Sequence, residues 1–193
     1  MTFDVVIIGA GLAGTKAATI LQEAGYSCAL FTKGTSLHKP STEGFTAAGG
    51  KFFPGDAVTG GTFEGRRLKS IRTVKLQGTE IYAGQFILAT GKFFAGGLAA
   101  DMDKVRETVF GFDVEYFGDR SAWFDQDFSK PQPFLTFGLR TDEYGRVFRG
   151  RDMVENVFAA GEILCGIDSA GPDDEIISSA VKAAREVMRH AGK

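Results

Sequence analysis

With 193 residues, the chain has the length of one domain and can bury a sizeable core. Hydrophobic residues at 44% and charged residues at 24% give the balance of a water-soluble globular protein, and no apolar run is long enough to span a bilayer. A net charge of −2 without any basic block argues against nucleic acid as the main partner.

The chain opens on FDVVII (3–8), a continuous apolar run with β-branched residues, which predicts a strand buried on both faces. Residues 12–24 follow with helical spacing of Leu12, Ala17, Ile20, Leu21 and Ala24, and Gly25 ends that helix. SCALFT (27–32) reads as a second buried strand, so the three elements make a β-α-β unit with a right-handed crossover. Residues 33–50 are polar and Gly-rich and predict a loop with one helical turn at most. KFF, DAVTGGTFE, LKSIRTVKL and TEIYAGQFILAT (within 51–90) predict a small β-meander that turns at Gly65 and Gly78 and ends in a buried strand. Residues 92–135 are irregular and rich in Phe. A hairpin turning at Asp142–Gly145 and a buried strand over 156–160 come next. An amphipathic helix closes the chain from about Asp174 to His190, capped by Asp173 or Asp174 and stopped by Gly192. The fold class expected is α/β: a Rossmann-like parallel sheet with a small meander and a C-terminal helix, all one domain over 1–193.

The first turn, G-A-G-L-A-G, is the place to look for function. Gly9 allows the tight exit from the strand, Gly11 lets a pyrophosphate approach the backbone, and Gly14 lets the helix pack close to the sheet. The helix start offers free N–H groups and a partial positive charge to phosphate. The residue expected to bind the ribose is a carboxylate near position 32, where this chain has Thr32 and Lys33. A charged hydrogen bond contributes about 1.5–3 kcal/mol. Thr32 offers one weaker bond, which lowers affinity by about ten- to a hundredfold without abolishing it.

A plain nicotinamide domain continues with further α-β units, whereas this chain turns into a meander and closes with a strand, Gly161-Glu162 and a helix. If that late strand lies beside the first, Gly161 and Glu162 reach the ribityl–phosphate part of an extended cofactor. This order favours FAD over NAD, and the pyrophosphate bed favours FAD over FMN.

At these residues the chain resembles FAD-binding proteins of the fumarate reductase and glutathione reductase type. The segments are DVVIIGAGLAG, FILATGKFFAGGL (86–98), FGLRTDEYGRV (137–147) and ENVFAAGEILCGID (155–168). Within that type it is most similar to the B-subunit family of anaerobic glycerol-3-phosphate dehydrogenase, with support from SLH (36–38), FFPGD (52–56) and WFDQDFSKPQPF (123–134). The resemblance implies a flavoprotein that works in electron transfer inside a redox complex, with partner subunits and a membrane link only through one of them. It also implies that a large middle domain of the family is missing near residues 45–49. By resemblance, phosphate contacts fall to Gly9, Ala10, Gly11, Leu12, Ala13 and Gly14. Adenosine contacts fall to Thr32, Lys33, Gly34 and Val58, the family's ATG element to Thr90 and Gly91, and flavin-side contacts to Gly161, Glu162 and Ile163. One departure bears on the ring seat: S-A-G-P-D-D-E-I-I (169–177) carries Asp173, Asp174 and Glu175 where the family is Gly-rich.

The remaining candidates are weaker. His38 faces the flavin only if its loop brings it there, and a solvated loop residue is the simpler reading. Cys28 and Cys165 stand far apart without metal-ligand spacing, which predicts free thiols in a reducing cytoplasm, with Cys165 a small buried residue. No basic leader precedes the first strand, so no signal peptide is expected. Arg120 and Arg140 read as surface or ion-pair residues. The aromatic block over 110–137 is a second core, a docking surface, or both. No general acid, base or metal set stands out. The alternative to a flavoprotein is a non-enzymatic nucleotide-binding or scaffold module of the same fold, which the acidic stretch at 173–175 favours.

Overall fold

The computed structural model describes residues 1–35 and 40–192. β1 (Thr2–Ile8), α1 (Leu12–Glu23) and β2 (Cys28–Thr32) form the expected β-α-β unit, with Val5 opposite Cys28 and Ile8 opposite Phe31 in parallel register. A short helix α2 (Glu43–Ala47) then leads to β3 (Lys51–Pro54). The sequence places residues 51–53 at the head of the meander, but the structure adds them to the parallel sheet beside β2. The reason is tertiary. Phe53 pairs with Phe31 and the two rings stack at 4.4 Å, a contribution of about 0.5–1.5 kcal/mol beyond burial.

The meander itself is β4 (Val58–Glu64), β5 (Arg67–Thr73) and the first residues of β6 (Ile81–Leu88), all antiparallel. β6 then continues into the parallel sheet along β1. Two small antiparallel pairs follow, β7 (Leu98–Ala100) with β8 (Val105–Glu107), and β9 (Val114–Glu115) with β10 (Gly138–Leu139). The turn at Asp142–Gly145 forms as expected, its Asp142 carboxylate accepting from the Tyr144 and Arg146 amides. Its arms pair only beside the turn, through the antiparallel Thr141–Val147 bridge and the Asp142 amide bound to Arg146 O. β10 pairs with β9, and β11 (Arg146–Arg149) pairs with β12 (Asp152–Ala159) at the sheet edge. β12 lies beside β6, not beside β1 as the sequence suggests, so the sheet order is β11-β12-β6-β1-β2-β3.

Alternation along the central strands splits the core in two. Val5, Ile7, Leu30, Ile87 and Phe158 face α1 and α3 (Asp173–His190). Val6, Ile8, Phe31, Phe86, Leu88 and Val157 face the meander and the aromatic segment. Phe110, Phe112, Trp123 and Phe137 are buried in that second core, whereas Phe117, Phe124 and Phe128 are exposed. α3 begins differently from expectation. Pro172 occupies the cap position, and Asp173, Asp174 and Glu175 all lie in the first turn, where negative charge suits the helix dipole.

β6 changes partners along its length, pairing with β5 at Ile81–Tyr82 and with β12 from Phe86. The side chain of Asn156 fills the fork. It accepts from the Leu68 amide at 2.9 Å and donates to the carbonyls of Leu68 (2.8 Å) and Gly84 (3.0 Å) while only 1% exposed. It therefore acts as the missing rung of a strand. Asn156→Ala leaves those backbone groups unpaired in a dry place. The expected loss is about 3 kcal/mol, read as a lower urea midpoint with unchanged slope.

Candidate functional site

β1, β2, β6 and β12 run parallel and end on the same side, and their C-terminal ends open into one cavity of about 320 Å³. It sits where the chain leaves β1 for β2 on one side and later returns through β6 on the other, the switch point at which open α/β sheets bind ligands. Short backbone bonds hold the strand ends in place. The Gly9 amide donates to Phe31 O at 2.8 Å, the Ala89 amide to Ile8 O at 2.8 Å, and the Ala160 amide to Leu88 O at 3.0 Å.

α1 meets this corner very closely. A Cβ on Gly14 would lie 1.8 Å from the carbonyl oxygen of Gly9, and one on Gly9 would lie 2.1 Å from that of Ala89. Gly9 also has φ +109°, which side chains rarely adopt. The helix start is bare. Its first internal bond runs from the Thr15 amide to Gly11 O, no side chain caps it, and its first turn holds no acidic residue. The amides ahead of Thr15 therefore have no carbonyl partner within the helix, and Leu12 and Ala13 among them line the cavity. Those vacant donors, the absence of side-chain volume at Gly9 and Gly11, and the partial positive charge suit a diphosphate.

Gly9, Ala10, Gly11, Leu12 and Ala13 line the cavity on this side, and Thr32 and Lys33 line it at the end of β2. The Thr32 hydroxyl oxygen accepts from the Gly34 amide at 3.1 Å, which leaves its O–H free to donate. Val58, Thr90, Gly91, Gly161 and Glu162 complete the predicted set that reaches the wall. Three predicted residues do not line it. Gly14 is the close-packing position under the bed, Gly34 forms the turn behind Thr32, and the Ile163 side chain is fully buried in the core. His38 lies outside the described residues.

Sequence reading missed the supports of the far wall. Asp56 is 3% exposed and accepts from the Thr73 hydroxyl (2.9 Å) and the Lys75 amide (2.8 Å), which sets the loop carrying Val58. Glu107, also 3% exposed, accepts from the amides of Val109, Phe110 and Gly111 at 2.7–2.8 Å and of Phe112 at 3.4 Å. That nest holds the loop from which Thr108 and Val109 face the cavity. Burial raises the Glu107 pKa, against the lowering pull of the amides. Asp56 belongs to the FFPGD segment of the family resemblance, but nothing in the sequence marks Glu107, since its partners are backbone amides.

The expectation for Cys165 is corrected here. Cys165 is exposed rather than buried, because its segment hooks outward through the Gly166 amide bound to Thr136 O. Its thiol is still pushed up to about 11, chiefly by partial burial and then by a hydrogen bond with Glu115. Arg140 pairs with Asp113 at 2.9 Å, and Arg120 donates to the carbonyls of Asp101 and Met102. Asp173, Asp174 and Glu175 are exposed, and the residue of α3 that reaches the cavity wall is Ile176. Among the described residues, no helix is long and apolar enough to cross a membrane, and no acidic, His or Cys group is placed to hold a metal.

The sequence profile of the FAD binding domain family matches residues 4–64 and 37–171, so this chain belongs to that family and its cofactor is FAD. Within it, the chain is similar to the B subunit of anaerobic glycerol-3-phosphate dehydrogenase from Yersinia pseudotuberculosis, 35% identical over 135 residues. That match takes in 70% of this chain and 32% of the relative, so the chain spans about a third of the length of the curated proteins it matches. Two solved structures share the fold. L-proline dehydrogenase from P. horikoshii superposes with a TM-score of 0.62 at 13% identity, over 100% of this chain and 56% of that one. Thermovibrio ammonificans THI4 gives 0.60 at 13% identity, over 100% and 91%. The Rossmann-like flavoprotein fold expected from sequence is therefore present.

The corner tolerates no added atom. Gly14→Ala is expected to push α1 off the sheet, lowering the melting temperature by about 10 °C and abolishing FAD retention on a desalting column.

Proposed function

We propose that the chain is the FAD-carrying unit of an electron-transferring flavoprotein that works with partner polypeptides. The observation that carries this is the bare start of α1, opening with four parallel strand ends into one cavity in a chain of the FAD binding domain family. In this reading the diphosphate lies on the amides of Gly11, Leu12 and Ala13, with Gly9, Ala10 and Gly14 giving it room. The adenosine end lies by Thr32, Lys33, Gly34 and Val58. The flavin end lies by Thr90, Gly91, Gly161 and Glu162, with Ile163 behind them in the core. Bound FAD supplies hydride and single-electron chemistry, and the protein supplies position and electrostatics.

Residues 1–193 act as one cofactor domain without the larger relatives' middle region. A second chain would then supply the rest of a substrate site, and any membrane association would come through it. The likeness to one subunit of a multi-subunit dehydrogenase supports this view. Cys28 and Cys165 form no disulfide, which fits a reducing, cytoplasmic setting. The scaffold alternative rested on the acidic stretch at 173–175. Those side chains are exposed, so the feature that favoured it leaves the cavity unobstructed.

The visible spectrum of the purified protein, before and after FAD titration, tests the reading. Flavin bands that survive desalting support it, and a colourless protein that FAD neither colours nor stabilises overturns it. Thr32→Val removes one hydroxyl while keeping the shape of the side chain. It is expected to weaken FAD binding by about 1 kcal/mol, or about fivefold in Kd by fluorescence titration, and an unchanged Kd removes Thr32 from the ribose seat.

A further inference from the structure

Lys92 directly follows Gly91 of the cavity wall, and its side chain is buried, 3% exposed. Its ammonium group donates to two backbone carbonyls, those of Leu135 and Ile167. Leu135 belongs to the 3-10 turn at Pro133–Thr136, and Ile167 to the loop between the turn at Gly161–Ile163 and α3. One side chain thus ties the wall to two segments distant in sequence. Both acceptors are neutral, which is an expensive way to bury a positive charge. The groups facing it are Glu162, Cys165 and Asp168, with Glu115 reaching Cys165 from β9. Glu162 and Asp168 favour its charged form through space, whereas the Cys165 thiol, pushed up to about 11, is neutral over this range. Desolvation outweighs them and lowers its pKa to about 8.

We propose that Lys92 is a positioning residue for the flavin end of the cavity, tying the Thr90–Gly91 wall to the chain behind it and meeting an anionic cofactor with a buried positive charge. The inference rests on the FAD reading of the cavity. Arrival of negative charge favours the ammonium form, so FAD binding between about pH 8 and 9 draws a proton from solvent. Without FAD the sign is opposite. The unfolded chain holds the Lys92 proton up to about 10.5 and the folded chain only to about 8. The apoprotein therefore gains stability from this group as pH rises through that window.

The test is calorimetric titration of apoprotein with FAD at about pH 8.5, in two buffers of different ionisation enthalpy, for the natural protein, Lys92→Met and Lys92→Arg. The natural protein is expected to take up a fraction of a proton. From about pH 7 to 9.5 its affinity should fall by as much as about tenfold for each unit by which the complex raises the lysine pKa. Lys92→Met should take up none and bind about tenfold more weakly at pH 7, with no pH dependence. Lys92→Arg should keep most of the neutral-pH affinity without proton uptake. FAD binding with no proton uptake by the natural protein overturns the role of Lys92 and leaves the cavity reading standing. Failure of the natural protein to bind FAD overturns both. If Lys92→Met does not fold, Lys92→Arg carries the assignment: proton uptake that persists in it overturns the role of Lys92.

Discussion

The cavity exists because α1 can come within contact distance of the ends of β1 and β6. Gly14 over the Gly9 carbonyl, and Gly9 over the Ala89 carbonyl, are stacked so tightly that three backbone segments share space a single methyl group would take. That approach aims the first amides of α1 at the mouth of the sheet instead of at solvent. It also lets Ala13, Ala17 and Ala18 of α1 nest against Ile176, Ala180, Ala183 and Ala184 of α3, a seam built mostly of small residues. The cavity and the helical core are therefore set by one packing decision.

The two long helices treat their N-termini in opposite ways. α3 neutralises its own with three carboxylates and presents them to water. α1 leaves its start without cap or acid. Only one of these two positive helix ends is thus left open, and it faces the strand ends. The buried Lys92 adds a second positive centre on the far side of Gly91.

The parts of this site that could be read from sequence are those made by local rules. The β-α-β unit, its glycine spacing, the Ala89-Thr90-Gly91 exit from β6 and the Gly161-Glu162 exit from β12 each follow from a strand meeting a turn. Placement across the sheet was not legible. β3 joined β2 because Phe53 found Phe31, and β12 settled beside β6 because β6 already occupied the flank of β1. The supports of the far wall were hidden for a different reason. Glu107 and Asn156 act on backbone groups brought close by the fold, and such partners leave no pattern in the sequence. Cys165, without a partner cysteine, read as a small buried residue, but the chain direction after Leu164 decided its exposure.

The seam between α1 and α3 has a consequence for how the protein is made. α1 leaves the ribosome long before its mate, with every strand of the sheet except β1 synthesised in between. Until α3 emerges, Ala17, Ala18 and Leu21 have only the growing sheet and Phe45 of α2 to shelter them. Contacts so distant along the chain carry a large closure entropy and form late. During synthesis that face of α1 therefore stays without its α3 partner until the last helix docks.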